Sequence, residues 1–231
     1  MKISVALAAY KGEQYIAEQL ESILSCLCEN DEIIVSDDYP QGKTRGIVAE
    51  FQAKDKRIRY VEGEGKGVVK NFENALKACT GDVIFLCDQD DVWLSRKVEL
   101  VMEEISNGAD LVLHDASVTD ADLNVTEPSF FAVHGSNASL SKNLVRNSFV
   151  GCCMAFNRKV LEASLPFPKD LAMHDWWIAL VALKKKFNVV LLNEPLIKWR
   201  RHGGTVTGGK TGIMQKIMWR VNIILSLAKV K

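Results

Sequence analysis

Three carboxylates crowd the end of the segment 81–93, which reads GDVIFLCDQDDVW. A short apolar run stops there at Asp88, Asp90 and Asp91. Carboxylates this close together repel one another, and burying any of them without a partner is costly. The segment therefore predicts a cation at this place. Carboxylate oxygens suit a hard divalent ion, so the predicted cofactor is Mg²⁺ or Mn²⁺.

Two other acidic sites have a similar spacing of carboxylates. Asp88 and Glu99 match the ends of a calcium-binding loop, but Trp93 stands where that loop needs a glycine. The order of residues also resembles the nucleophile loop of haloacid-dehalogenase-like phosphatases, in which an aspartate is phosphorylated. That loop normally follows the first strand, whereas this segment follows the fourth predicted strand. A solvated acidic turn is the plain structural alternative.

Strands that alternate with helices are predicted to position the acidic segment. Solidly apolar runs predict strands over 3–9, 31–38, 58–64 and 82–88. Three helices are predicted between these strands, and the second of them covers residues 46–54. Apolar residues spaced by three and four predict the other two: Ile16, Leu20, Ile23, Leu24 and Leu27 in the first helix, and Val68, Phe72, Ala75, Leu76 and Cys79 in the third. This alternation indicates a parallel sheet covered on both faces.

Polar residues follow the predicted strands where each strand ends. The first strand ends at Ala9 and Tyr10, the second at Asp37 and Asp38, and the fourth at the acidic segment. Ligands of parallel sheets bind beyond the carboxyl ends of the strands. The sequence therefore predicts a nucleotide or another phosphorylated ligand at this edge, held together with a hard cation.

The composition is that of one globular domain. The chain has 231 residues, of which 48% are hydrophobic and 25% charged, and its formal net charge is zero. This balance argues against nucleic-acid binding and against disorder. The charge is uneven, however, because no acidic residue follows Glu194. Eight basic residues do follow it, which gives this segment a charge of +8: Lys198, Arg200, Arg201, Lys210, Lys216, Arg220, Lys229 and Lys231.

The six cysteines lie mostly in apolar runs and have no histidine at metal-ligand spacing. They predict reduced core residues in a cytoplasmic protein. The opening stretch MKISVALAAYKGE turns polar too early for a signal peptide, and no run approaches the roughly 18 apolar residues of a membrane span. A cytoplasmic location is therefore predicted, with attachment to the inner face of the plasma membrane left open.

Five segments in a fixed order resemble the family 2 glycosyltransferases of the GT-A fold, and within them the rhamnosyltransferase-like members. They are VALAAYKGEQYIAEQLESI, IIVSDD, KGVVKNFENAL, GDVIFLCDQDDVW and HDWWIAL, and the match spans about the first 205 residues. The resemblance implies one α/β domain with a Rossmann-like, mostly parallel sheet flanked by helices. Residues 1–95 would form its nucleotide-sugar-binding half and 96–205 its acceptor half, followed by a flexible loop and a basic amphipathic helix over 206–231.

The resemblance also implies roles for individual residues. Asp88, Asp90 and His202 would hold the metal ion, and Asp88 would also contact the donor ribose. Arg200 or Arg201 would pair with phosphate oxygens, with a solvated basic loop as the alternative. The implied donor-binding residues are Ala9, Tyr10, Glu13, Asp37, Lys66, Gly67, Asn71, Asp88 and Arg201.

Asp175 is the predicted general base, which would take the proton of the attacking hydroxyl. It opens the helical segment DWWIALVALKKK, so a helix N-cap is its structural alternative. His174, Trp93 and Trp176 are the predicted acceptor-binding residues. Large aromatic side chains early in a helix are equally typical of a core, so for Trp176 that alternative stays open.

The implied function is inverting transfer of a sugar from a UDP- or dTDP-sugar to a hydroxyl of a surface-polysaccharide or lipid-linked oligosaccharide acceptor. The segment YPQGKT after Asp38 departs from the family pattern, so the choice between uridine and thymidine stays open. A non-catalytic nucleotide-sugar-binding module and a sugar nucleotidyltransferase are the alternatives. The latter should carry a basic, glycine-rich loop after the first strand, where this chain has only Lys11 and Gly12.

A helical stripe closes the sequence. It consists of Met214, Ile217, Met218, Val221, Leu225 and Ala228, with basic residues elsewhere on the helix. A basic amphipathic helix is typical of binding to a membrane surface. Packing against its own domain or in a homodimer explains the stripe equally well, so three partners remain open.

Overall fold

The computed structural model describes residues 1–203 and 212–230. The predicted flexible loop that starts at residue 206 lies for its first part outside the described residues. Nine strands occur in the described ranges: β1 (Ile3–Ala9), β2 (Glu32–Asp37), β3 (Ile58–Glu62), β4 (Val83–Asp88), β5 (Val92–Trp93), β6 (Leu111–Thr119), β7 (Val125–Glu127), β8 (Met154–Asn157) and β9 (Val189–Arg200).

Helices separate most of these strands. They are α1 (Ile16–Leu24), α2 (Thr44–Lys54), α3 (Val68–Ala78), α4 (Lys97–Ser106), α5 (Phe130–His134), α6 (Leu140–Val145), α7 (Arg158–Ser164), α8 (His174–Lys184) and α9 (Ile213–Ala228). The four strands and three helices predicted for residues 3–88 are all present. The first helix ends at Leu24, so Leu27 lies beyond it although it remains buried.

One sheet runs through the molecule in the order β3-β2-β1-β4-β8-β6-β9-β5, and β7 pairs with β6. The strands β1 to β4 pair in parallel, as the alternating pattern predicts. β8 then pairs antiparallel with β4 and with β6, whereas β6 and β9 are parallel. The α/β fold with a largely parallel sheet is therefore confirmed. Each antiparallel pair contains at least one strand that follows β4 in the chain.

The strand register brings the polar strand ends together. Ala9 of β1 pairs with Asp37 of β2, and Ala8 of β1 pairs with Asp88 of β4. The three strands are parallel, so their carboxyl ends reach the same edge of the sheet. Apolar side chains fill the strands behind this edge, and Val5, Leu7 and the central residues of β2 and β4 are inaccessible to solvent.

The helix α8 lies inside the second half of the molecule. Residues 174–182 of this helix are all buried, which is typical of a helix that is apolar on every side. It begins beside the edge where β1 and β4 end, and it is held there by core packing. Any side chain in its first turn is therefore placed rigidly. Among the described residues, no helix has both the length and the apolar character needed to cross a membrane.

Candidate active site

A cavity of about 870 Å³ opens at the carboxyl ends of β1 and β4. One side is formed by the strand ends and the start of α3, and the other by α5, residues 147–151, the start of α8 and the end of β9. Nine of the predicted site residues line this cavity: Ala9, Tyr10, Gly67, Asn71, Asp88, Asp90, His174, Asp175 and Arg201. Residues more than 160 positions apart in the chain thus share one site.

The acidic segment lies on the floor of this cavity. Burial, together with the charges of Asp90 and Asp175, raises the pKa of Asp88 to about 7. Burial, followed by the charges of Asp90 and Asp88, also raises the pKa of Asp91 well above its usual range. Within the described part of the chain, Oδ2 of Asp91 has no hydrogen-bond partner. The crowding of carboxylates predicted from the sequence is present, and it disfavours their charged forms.

The nearest cations come from the end of β9 and from α4. The backbone N–H of Arg200 donates to Oδ1 of Asp91 at 3.0 Å, and its Nε donates to the carbonyl oxygen of Asp90 at 2.8 Å. The same guanidinium also donates to the carbonyl of Ala121 and forms an ion pair with Glu18. Arg200 is therefore committed to holding the acidic loop, and both Arg200 and Arg201 line the cavity.

His202 and Arg201 extend this arrangement. Nε2 of His202 lies 2.8 Å from Oδ2 of Asp90. The guanidinium of Arg201 lies 4.8 Å from the centre of the Trp199 ring and lines the cavity. The metal ligands predicted from the sequence are thus brought together in part, as the pair of Asp90 and His202 with Asp88 nearby.

The donor set suits a hard cation. Among the described residues, Asp88, Asp91 and Cys152 form the one group of three possible ligands whose atoms all lie within 4.8 Å of one another. A hydrogen bond with Cys153 and burial raise the pKa of the Cys152 thiol well above its usual range, so it stays protonated and is a poor ligand. The carboxylates of Asp88 and Asp91 remain in this group, and carboxylate oxygens suit Mg²⁺ or Mn²⁺. The predicted ligands Asp90 and His202 are not members of it.

Asp175 faces the acidic segment from the first turn of α8. Met173 precedes the helix and His174 begins it, so Asp175 is not the N-cap. Its Oδ2 accepts a hydrogen bond from the Gly151 N–H at 3.1 Å, and its Oδ1 accepts one from Asn147 at 3.4 Å. Burial raises the pKa of Asp175 to about 6 despite these bonds. A carboxylate with this pKa can accept a proton near neutral pH.

His174 provides an uncharged wall beside Asp175. Its ring stacks on Phe72 with a centroid distance of 3.8 Å. Burial lowers the pKa of His174 to about 3, so the ring is neutral. Within the described residues, neither ring nitrogen has a hydrogen-bond partner. A neutral imidazole that lines a cavity can donate to and accept from a hydroxyl group, as the predicted acceptor role requires.

Asp38 organises the glycine-containing loop that leads into α3. Its Oδ1 accepts hydrogen bonds from the backbone N–H groups of Gly65 and Lys66, and its Oδ2 accepts one from Gly67 at 2.7 Å. Gly65 and Gly67 have φ values of +67° and +88°, which side chains other than glycine rarely adopt. Asp38 lines the cavity, so this loop is shaped at the site itself.

Six predicted residues lie outside the cavity lining: Glu13, Asp37, Lys66, Trp93, Trp176 and His202. Asp37 is inaccessible and accepts hydrogen bonds from the Tyr39 N–H and the Tyr60 hydroxyl.

Lys66 is exposed and forms an ion pair with Glu64. Glu13 accepts a hydrogen bond from Thr44 at 3.4 Å.

Both tryptophans belong to the core. Trp93 is 4% exposed and packs against Phe85 and Lys97. Trp176 is 7% exposed, and its indole N–H donates to the carbonyl of Asn143. A core position, which was the structural alternative for Trp176, therefore describes its surroundings better than contact with an acceptor does. The surroundings of Trp93 are also those of a core residue.

Several residues of the site were not predicted from the sequence. The side chain of Gln89 makes two hydrogen bonds with the backbone of Tyr10, at 2.8 and 3.0 Å, and fastens the end of β1 to the acidic segment. Asn147 and Gly151 hold Asp175, and Phe149 lines the cavity next to them. The position of Gln89 between Asp88 and Asp90 could have indicated from the sequence that it belongs to the site. Residues 147–151 carry no pattern that points to Asp175.

Solved structures with the same architecture define the class of this fold. S. aureus TarS 1-349 in complex with UDP-GlcNAc has a TM-score of 0.78 at 18% identity, and the match covers 100% of this chain and 68% of that one. The mannosyltransferase PcManGT from Pyrobaculum calidifontis, in complex with GDP-Man and Mn²⁺, has a TM-score of 0.65 at 17% identity, with coverages of 98% and 64%. The fold is therefore that of the GT-A glycosyltransferases.

The sequence profile of Glycosyl transferase family 2 matches residues 4–165. The chain belongs to this family, as the resemblance of its motifs implies. It is 24% identical over 219 residues to TuaG of Bacillus subtilis (strain 168), which is named for teichuronic acid biosynthesis, and covers 82% of that protein's length. It is 25% identical to WfgD of Escherichia coli and to the dTDP-rhamnosyl transferase RfbG of Shigella flexneri, covering 80% and 76% of their lengths. The three matches span 90–91% of this chain.

Proposed function

We propose that this protein transfers a sugar, with inversion, from a nucleoside diphosphate donor to a hydroxyl of a surface-polysaccharide precursor. The observation that carries the proposal is the placement of Asp175 opposite Asp88 in one cavity. The two carboxylates are close enough for the charge of Asp175 to raise the pKa of Asp88. Asp175 can thus act on the acceptor hydroxyl while Asp88 acts on the donor side.

The strand-end side of the cavity suits the donor. The loop at Gly65 and Gly67 offers backbone close to the ligand, and Tyr10 is half exposed at the rim. Arg201 would pair with the diphosphate. A divalent ion held by Asp88, Asp90 and His202 would supply charge stabilisation for the departing diphosphate. TarS and PcManGT are solved with a UDP-sugar and with GDP-mannose, which supports a nucleotide-sugar donor here.

The far side of the cavity suits the acceptor. The acceptor oxygen attacks the anomeric carbon as the bond from this carbon to the diphosphate oxygen breaks. The electron pair of that bond leaves with the nucleoside diphosphate, and Asp175 takes the acceptor proton. His174 would orient the acceptor hydroxyl. Attack from the side opposite the leaving group inverts the anomeric configuration, which is why a single base is enough.

Two relatives support the class of acceptor and donor. The name of WfgD describes a transfer from UDP-Glc to a GlcNAc-diphosphoundecaprenol, and that of RfbG describes a dTDP-rhamnosyl transferase. We therefore propose a UDP- or dTDP-sugar donor and a saccharide acceptor that is carried on a lipid.

Replacing Asp175 by asparagine tests the proposal. The Asp175→Asn protein should bind the nucleoside diphosphate with Mn²⁺ as the parent does and lose at least a hundredfold in transfer, because the base is gone while the donor side is intact. Asp122→Asn is the matched control, since Asp122 is exposed on the turn between β6 and β7. Unchanged transfer by Asp175→Asn would refute the assignment of the base.

The donor is identified by thermal stabilisation with UDP, dTDP and GDP, each with and without Mn²⁺. A ligand at a hundred times its dissociation constant stabilises a protein by roughly 2.7 kcal/mol, which is readily measured. Donor binding without transfer to any acceptor would favour the non-catalytic alternative. Release of pyrophosphate from a nucleoside triphosphate and a sugar phosphate would favour the nucleotidyltransferase. The anomeric configuration of the product, read by NMR, tests inversion.

A further inference from the structure

The helix α9 presents two apolar faces. Ile223 and Leu227 form the inner face and are 2% and 6% exposed. The outer face consists of six large apolar side chains that are between 48% and 71% exposed: Met214, Ile217, Met218, Val221, Ile224 and Leu225. Their spacing by three and four places them on the side of the helix opposite the inner face. Five of these six belong to the stripe predicted from the sequence.

The inner face fixes the orientation of the helix. The Arg220 guanidinium donates two hydrogen bonds to the carbonyl oxygen of Val145 at the end of α6, at 2.9 and 2.7 Å. Lys184 at the end of α8 donates to the carbonyl oxygen of Leu227. The helix is therefore held by its own domain, and the outer face points away from it. Apolar patches of this kind on a protein surface generally mark an interaction site.

The charges around the outer face favour an anionic partner. Lys229 is exposed at the end of the same helix, and Lys142 and Arg146 are exposed on and just after α6, against which α9 packs. Lys216 is exposed near the start of α9, on the side of Arg220 and Ile223. The sequence has no acidic residue after Glu194. In a symmetric dimer through this face, the same basic residues of two copies would meet without acidic partners from the helix. Apolar side chains flanked by lysine and arginine are typical of helices that lie in the headgroup layer of a bilayer.

The position of α9 connects this face with the cavity. The chain leaves α6 at Val145, which is itself 66% exposed, and residues 147–151 then enter the cavity wall with Phe149 and Val150. This side of the cavity is also lined by Phe130 and Val133. The place where Arg220 of α9 contacts the domain, at Val145, is therefore separated from the acceptor side of the cavity by a few residues of one continuous segment.

We propose that the outer face of α9 docks on the surface of an anionic lipid bilayer and thereby holds the acceptor side of the cavity beside the head groups. Docking rests on the exposed apolar side chains of α9 and on the basic residues of α9 and at the end of α6. The consequence for the substrate, a saccharide carried on a membrane lipid, rests on the proposed glycosyl transfer. In this docked state the helix α9 lies along the bilayer surface, because its inner face stays packed on the protein.

Flotation with vesicles tests the docking. The full chain is mixed with vesicles of phosphatidylcholine that contain 30% phosphatidylglycerol, and with vesicles of phosphatidylcholine alone. We expect binding to the anionic vesicles to be at least tenfold stronger and to weaken at least tenfold between 50 and 500 mM salt. A full chain that does not float with the anionic vesicles at low salt would overturn the proposal.

Three substitutions on the outer face provide the variant: Ile217→Glu, Val221→Glu and Leu225→Glu. These side chains are exposed, so the variant should keep the thermal midpoint of the parent and lose at least tenfold in vesicle binding. The matched control adds the same three charges elsewhere through Gln41→Glu, Ala49→Glu and Ala53→Glu, all at exposed positions. Equal loss in the control would show that net charge alone governs binding and would overturn the role of α9.

Two further readouts separate the remaining outcomes. Sedimentation in the absence of lipid reports a dimer, and a dimer that the outer-face variant dissociates would assign the face to a second copy and overturn docking on lipid. Asp175→Asn should bind vesicles as the parent does, since vesicle binding needs no transfer. Failure of the proposed enzyme activity would therefore leave the vesicle result unchanged, and the two proposals can fail separately.

Discussion

The backbone N–H of Gly151 donates a hydrogen bond to Oδ2 of Asp175 at 3.1 Å. Gly151 lies in a short turn before β8, whereas Asp175 lies in the first turn of α8. A Cβ atom on Gly151 would lie 2.9 Å from Nε2 of His174. This contact is too close, and His174 cannot retreat easily because its ring stacks on Phe72. The glycine therefore sets the position of both side chains at the start of α8.

Replacing Gly151 by alanine should reduce turnover at least tenfold while the affinity for the nucleoside diphosphate stays within twofold. The added methyl group displaces His174 and loosens the bond to Asp175, and a base that is misplaced by about 1 Å can cost a hundredfold in rate. Steady-state kinetics and calorimetric titration measure the two effects. Gly46→Ala is the control, because a Cβ atom there meets nothing within 4 Å. Equal turnover in both variants would contradict the positioning role of Gly151.

The pH dependence of transfer should follow the ionisation of Asp175. Burial disfavours the charged form and raises its pKa to about 6, and the base must be ionised to act. At saturating Mn²⁺, kcat/KM should therefore fall tenfold for each pH unit below about 6 and level off above it. Saturation with the ion separates this group from Asp88, whose pKa is also raised. A profile that stays flat down to pH 5 would exclude Asp175 as the base.

The same ionisation should affect folding stability. The folded-state pKa of Asp175, about 6, lies above the ordinary value of 3.8, so stability from this group is full below pH 4 and is lost as the pH rises through 6. The loss should approach about 3 kcal/mol at pH 7, because each pKa unit corresponds to roughly 1.4 kcal/mol. Denaturation in urea at pH 4 and pH 7 measures it, and Asp175→Asn should lack this contribution. The same pH dependence in that variant would assign the effect to other groups.

Replacing Asp38 by alanine should weaken donor binding by releasing the loop at Gly65. Three backbone N–H groups lose their acceptor, and the one of Gly67 stands at the start of α3. A lost acceptor of this kind costs about 1–3 kcal/mol. We expect at least a tenfold higher dissociation constant for the nucleoside diphosphate, measured by calorimetry, and faster amide hydrogen exchange in the loop without ligand.

The hydrogen-exchange measurement separates this effect from loss of a direct contact, because Asp38 also lines the cavity. Asp122→Ala, on an exposed turn, should leave both readouts unchanged. Weaker donor binding with normal exchange of the loop amides would show that Asp38 touches the ligand and that the loop does not depend on it.

The first half of the fold could be predicted because its signals are local. The strands β1 to β4 are short apolar runs, and their parallel pairing follows from the helices between them. The cluster of polar strand ends follows in turn from parallel pairing. The stripe on α9 was also visible, but the face that packs on the domain contains Ile223 and Leu227, which lie outside that stripe. Spacing predicts a face of a helix and does not say what covers it.

The partners of the acidic segment could not be predicted, because they come from distant parts of the chain. Arg200 lies 109 positions after Asp91, and its hydrogen bonds depend on where β9 enters the sheet. The N-cap alternative for Asp175 also fails by two residues, since the N-cap is Met173 and the helix begins at His174. The end of a helix is set by backbone geometry that a composition pattern locates only approximately.

Lys97 is a fully buried lysine behind the acidic segment. Its Nζ donates to the carbonyl oxygen of Cys152 at 2.9 Å and lies 4.1 Å from the centre of the Trp93 ring. Its charge lowers the pKa of Asp88, against the effect of burial. Lys97 is therefore an internal counter-charge of the acidic site, and burial lowers its own pKa.

Replacing Lys97 by methionine should destabilise the protein by about 3 kcal/mol or more, because a buried charged group loses its partner. The pKa of Asp88 should rise further, so Mn²⁺ binding at pH 7 should weaken, and raising the pH should partly restore it. Urea denaturation and titration with Mn²⁺ measure the two effects. Lys54→Met, on the exposed side of α2, should change stability by less than about 0.5 kcal/mol. A Lys97→Met protein that binds Mn²⁺ with the affinity and pH dependence of the parent would show that the acidic segment does not rely on this lysine.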